Sequence, residues 1–202
     1  MEDKAIKDRL EKMHINCYKL FLCNIEMKYL FEEAELEDRQ IYGGNLFLRF
    51  SIENIHIRFC LLAGILISEN EEYSITKFTK DFLEEGETKR GITEVVYNEE
   101  FQKAWKRIKK LRDKCYAHND REEGEISNEI QLTQKERNYI TDGLTKSMIS
   151  LYSDFLSCDL VSFQNEEPRI KSTLRVIKEW KSFLIQDTQR KINESKKSMG
   201  LL

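Results

Sequence analysis

Arg112 and His118, six residues apart, are of the residue types that can act together on a phosphodiester. Histidine can both take and give a proton near neutral pH. Arginine is a permanent planar cation whose fork matches phosphate oxygens. The pair can therefore work on phosphorus without a metal. On an ideal helix, six steps turn ~600°, which leaves Arg112 and His118 about 120° apart and ~9 Å along the axis. They converge if the helix ends near Tyr116 or Ala117, or if two copies of the segment face each other. The structural alternative is a histidine at a helix end that binds the last carbonyls.

These residues close a basic segment, FQKAWKRIKKLRDKCYAHND, over residues 101–120. Beside an apolar stripe (Phe101, Ala104, Trp105, Ile108, Leu111, Cys115) it carries Lys103, Lys106, Arg107, Lys109, Lys110, Arg112 and Lys114. Asp113 is the only acid among them. In a chain of net charge -3 this is a concentrated positive face that suits a polyanion. The alternative is a solvated face paired with Glu122, Glu123 and Glu125. Asn119 and Asp120 could bond to the site or simply cap the turn. Tyr116 could stack on a base or pack at an interface.

The elements that position this segment are helical. Eight glycines and one proline in 202 residues are too few for a turn-rich β fold. Apolar residues at three- and four-residue steps, broken only at Asn24, predict one helix over roughly 3–37. Its narrow stripe could also be a seam between two chains. Gly43-Gly44 breaks the pattern. Residues 46–67 are apolar nearly all round, as expected of the central, most buried helix. Ser74 caps a short helix ending near Leu83, and residues 84–98 read as a mobile surface loop. Asn98 caps the basic helix, with Glu99 and Glu100 in its first turn. Thr133 and Glu136 form a capping box for a helix through Phe155. Pro168 opens a C-terminal helix that has Leu174, Ile177, Phe183 and Leu184 on one side before fraying into INESKKSMGLL. The expectation is an all-α antiparallel bundle of four main helices with a short helix and a C-terminal helix. It divides into a bundle over 1–160 and a helical extension over 161–202.

Other chemistry finds little support. The five cysteines include no CxxC pair, so neither a metal site nor a disulfide framework is expected, and no cofactor motif occurs. The charged start MEDKAIKDRL lacks an apolar signal region. The longest apolar run, residues 59–67, is half the ~18 residues that suggest a membrane span, so a cytoplasmic chain with no membrane contact is expected. His14 and His56 read as ordinary packed or surface histidines. Arg58, inside the most apolar helix, needs a partner such as Glu53.

The string LRDKCYAHND, ending a basic amphipathic helix in a small all-α chain, resembles the signature of the HEPN superfamily. That signature is Arg, a polar residue, three to five further residues, then His; here Arg112, Asp113 and His118 match. Ile57-Arg58-Phe59, the AHND ending and the IQLTQKE helix start resemble the branch associated with phage abortive infection (AbiU-type). The resemblance covers residues 10–158. It implies a homodimer with the two motifs brought together at its interface. It also implies a metal-independent ribonuclease acting as a toxin or in antiviral defence, or a silent module that binds nucleic acid or a partner protein. His118 would be base or acid towards the ribose 2′-hydroxyl or the leaving 5′-oxygen. Arg112 would stabilise the phosphorane-like transition state, and Asp113 would orient Arg112 or His118. Lys106, Lys109, Lys110 and Lys114 would hold the RNA backbone. An antitoxin or regulatory protein would be a further partner.

Overall fold

In the computed structural model, residues 2–44, 46–116, 132–156 and 168–198 are described, and these are helical nearly throughout, with no strand. Among the described residues there are eight α-helices: α1 (Glu2–Lys28), α2 (Leu36–Gly44), α3 (Leu46–Ile67), α4 (Ile75–Phe82), α5 (Glu87–Val96), α6 (Glu99–Lys110), α7 (Gln134–Leu156) and α8 (Arg169–Ser198). Two π turns extend helices, Tyr29–Glu33 after α1 and Leu111–Tyr116 after α6.

The α1 stripe is the axis of the core. Leu10, Met13, Cys17, Leu20, Cys23 and Met27 are buried between α3 and α7. Each fully buried side chain of this kind contributes about 1.5–3 kcal/mol. The stripe is therefore filled within the chain and is not a seam between chains. Nor does α1 reach residue 37. Its last turn widens, the Ala34 amide bonds to the Tyr29 carbonyl, and Ala34 turns extended (φ -64, ψ 132). The Arg39 guanidinium then donates to the freed Ala34 carbonyl at 2.9 Å.

Two further expectations change. Although 46–67 reads as buried all round, α3 covers only one face: Phe59, Cys60, Ala63 and Leu66 are buried, while Phe50 and Leu61 are 61% and 41% exposed. By length and composition, Phe50–Ile67 also qualifies as a possible membrane span, which its longest unbroken apolar run does not show; here it packs against α1. Residues 84–98 are not a loop, since α5 buries Ile92 and Val96 against α7. Gly143 of α7 permits the approach: a Cβ there would lie 2.8 Å from Val95 Cγ1 and 3.0 Å from the Phe101 ring.

The local capping chemistry agrees with expectation. Ser74 Oγ accepts from the Lys77 amide, Asn98 Oδ1 from the Glu100 amide, and Thr133 and Glu136 bond reciprocally. Asn24, the break in the α1 stripe, belongs to a buried polar cluster on α7. It donates to Asn138 Oδ1 at 2.9 Å and accepts from Gln134 Nε2 at 3.0 Å. Arg137 donates to Gln134 Oε1 at 2.6 Å and to the Leu132 carbonyl.

A smaller core, Tyr29, Leu30, Ala34 and Leu48 with Ile170 and Leu174, seats the start of α8. Lys178 fastens it to Asp38 at 2.7 Å, and Tyr29 Oη donates to the same carboxylate. Against expectation, α8 does not fray before Ser198. Its Phe183 and Leu184 are exposed. Among the described residues no element covers them.

Two stability measurements test this packing. Gly91, inside α5, has open space around it, so Gly91→Ala should stabilise by about 0.5–1 kcal/mol. Gly143→Ala should instead destabilise by about 1–3 kcal/mol, because a stiff valine and a ring must move; thermal melts that shift the same way for both would disprove the close approach. Burial, reinforced by the Arg137 charge, holds the His56 imidazole at about 4. Unfolded, it titrates near ~6.5, so the unfolded chain takes up a proton that the folded chain refuses. Stability from this source is full above pH ~6.5 and falls as pH drops towards 4. Urea midpoints at pH 7.5 and 5.5 should therefore differ less in His56→Leu than in wild type.

Candidate functional site

The basic helix α6 is anchored by Phe101, Ala104 and Ile108, which places its cations outward. Its charges are not equivalent. Lys103 pairs with Glu99 at 2.8 Å and Glu100 at 3.2 Å, and Arg107 with the capping-box Glu136 at 2.9 Å. Lys106, Lys109 and Lys110 are exposed and, among the described residues, have no carboxylate within ion-pair distance. Steps of three and four residues put these three lysines on one face. The positive surface is thus narrower than the seven cations suggest.

Beyond Lys110 the helix widens into the π turn Leu111–Tyr116, a geometry frequent at functional sites. Leu111 remains fully buried and fixes the turn on the core. Arg112 lies across α3 at Gly64: a Cβ on that glycine would sit 3.1 Å from Arg112 Cδ and 3.2 Å from Nη1. The absent side chain is the room the guanidinium occupies. Arg112 Nε donates to Asp113 Oδ1 at 2.8 Å, and the Arg112 side chain keeps 29% of its exposure. Asp113 therefore orients Arg112, whose side chain stays partly exposed beside Gly64. Lys114 falls within the same turn.

The expected catalytic partner His118, with Asn119 and Asp120 and the acids Glu122, Glu123 and Glu125, lies outside the described residues. The structure does show that ideal α geometry ends at Lys110, so the ideal-helix separation of Arg112 from His118 does not apply. Arg58 is not the buried, paired cation expected. It is exposed and, among the described residues, has no salt bridge, to Glu53 or otherwise, because it stands on the uncovered side of α3. Gly64 went unnoticed in the sequence, although an isolated glycine in an apolar helix pattern is a signal of close packing. Among the described residues no three His, Cys, Asp or Glu side chains come together as a metal site.

Compared with known proteins, the chain matches no family model, no curated protein and no solved structure.

The uneven pairing on α6 makes a prediction for binding to a polyanion. If Lys106, Lys109 and Lys110 face a nucleic-acid backbone, each change to Gln should lower the log–log salt slope by about 1. Lys103→Gln should leave it nearly unchanged, since that charge is already neutralised. Filter binding of a single-stranded RNA across a salt series reads both, and equal slopes for all four variants would remove the lysine face from the site.

Proposed function

We propose that this chain is a metal-independent endoribonuclease of the HEPN type, an antiparallel helical bundle that works as a cytoplasmic homodimer. Its setting is phage defence of the abortive-infection kind, or the toxin role restrained by an antitoxin or regulatory protein. The observation that carries the reading is the Arg112 guanidinium. It is laid on Gly64, oriented by Asp113, left partly open, and followed six residues later by His118. Lys106, Lys109 and Lys110, exposed on the helix that leads to it, supply a track for the RNA backbone.

In this mechanism the ribose 2′-oxygen attacks phosphorus and the bond to the 5′-oxygen breaks. A proton leaves the 2′-hydroxyl and one reaches the 5′-oxygen, with His118 as base or acid. Arg112 stabilises the charge that develops on the phosphorane-like transition state. The products are a 2′,3′-cyclic phosphate and a 5′-hydroxyl. The outer face of α3 supports the dimer. Phe50, Ile57, Leu61 and Gly64 fall within an arc of about 60° on an ideal helix. Phe50 and Leu61 are exposed, so an apolar strip runs up to the point where Arg112 rests. Pairing two such strips would bring two motifs together.

Total RNA incubated with the protein in excess EDTA should be cut to cyclic-phosphate ends. Arg112→Ala and His118→Ala should each abolish cutting while leaving the fold intact by circular dichroism. Leu61→Glu should yield a monomer by sedimentation and lose cutting as well. Wild-type cutting rates in His118→Ala would overturn the mechanism. Salt-sensitive RNA retention without products would instead favour a catalytically silent binding module.

A further inference from the structure

A second cluster of cations lies away from the Arg112 motif. A cleft of about 510 Å³ opens between α1, α3 and the start of α8. That volume is within the ~300–1,000 Å³ range of small-molecule sites. Leu22, Leu48, Ile55 and Ile170 give it apolar walls, and Lys19, Arg58 and Arg169 bring three positive charges to it. Tyr18, Ser51 and Asn54 add hydrogen-bonding groups to the lining.

The cleft's one carboxylate is already committed. Buried Glu26 caps α8 from a different helix, accepting from the Arg169 amide at 2.6 Å and the Ile170 amide at 2.9 Å. That capping satisfies two of the four unpaired amides at a helix start and places the negative charge at its positive end. Among the described residues no carboxylate forms an ion pair with Lys19, Arg58 or Arg169. Arg58 is close enough to Cys23 in the cleft wall to oppose, in part, the burial that pushes that thiol up to about 11. It stands six residues before Gly64, about 120° away around α3, so the cleft and the Arg112 site use different faces of one helix.

We propose that this cleft binds a small phosphate ester with a flat or apolar body, of the mononucleotide class. Three unneutralised cations call for an anion, and two arginines favour the planar, multidentate recognition of phosphate. A bare phosphate would use the charges but leave the leucine and isoleucine walls wet. An apolar ligand would use the walls but leave the charges unanswered. A phosphomonoester on an aromatic body satisfies both.

AMP is the probe, titrated calorimetrically into the full chain at low salt, with adenosine and inorganic phosphate in parallel. AMP should bind at least about tenfold more tightly than either fragment, a difference of ~1.4 kcal/mol. Arg58→Glu and Arg169→Glu should each weaken AMP by at least about tenfold, with circular dichroism showing both variants folded. Leu22→Trp, which fills the cleft without touching a charge, should also abolish binding. Arg112→Ala should not change AMP affinity, whatever becomes of RNA cutting. The proposal is overturned if AMP does not bind at millimolar concentration or if adenosine binds as well as AMP. Affinity that survives both charge reversals, or falls only with Arg112→Ala, also overturns it.

Discussion

One helix wedged between two others sets everything else in place. The α1 stripe is buried against α3 on one side and α7 on the other. Once α3 lies there, its Gly64 is presented to the end of α6, and its opposite edge forms one wall of the cleft with Arg58. Once α7 lies there, Gly143 receives α5 and α6, and Glu136 receives Arg107. Neither cationic site is built by the segment that carries its chemistry. Each depends on a small or polar residue held out by a helix that α1 has positioned.

The polar groups between α1 and α7 are engaged with one another, and that engagement is what makes them structural. Asn24, Gln134, Arg137 and Asn138 close a hydrogen-bonded cluster between α1 and α7. A buried network is stabilising only when complete, and a partly satisfied one would cost more than an apolar core. Asp38 with Tyr29 and Lys178 does the same work at the foot of α8. The contrast with Lys106, Lys109, Lys110, Arg58 and Arg169 is therefore informative. In a chain with slightly more acids than bases, no carboxylate among the described residues forms an ion pair with any of those five cations.

What could be read in the sequence was local. Ser74, Asn98 and Thr133 bind amides two or three residues away, so their capping roles need no knowledge of the fold. The neighbours Arg112 and Asp113 likewise meet through adjacency. The misreadings share a non-local cause. Helix α5 is held by α7 at a glycine about fifty residues distant, and Gly86 before it and Gly91 within it spoil the period. The end of α1 follows from an extra residue in its last turn, a geometry no residue type announces. Arg58 was expected to be buried because α3 is apolar all round, yet composition does not say which side of a helix the neighbours leave uncovered. Gly64 and Arg112 are forty-eight residues apart, and nothing in either string points to the other.

The thirty residues of α8 make a rod of about 45 Å, yet among the described residues only its first three turns rest on the body. A helix of that remaining length is marginal in water without a packed face. Its outer part leans on itself, through Asp187 with Arg190 and Lys191 and Arg190 with Glu194. Such pairs are worth only about 0.2–0.5 kcal/mol each. Amide protons along α8 should therefore exchange with solvent in a steep gradient, slow at Leu174 and fast towards Ser198. The helix is one element to the eye and two in its dynamics, with the boundary at the lysine that holds Asp38.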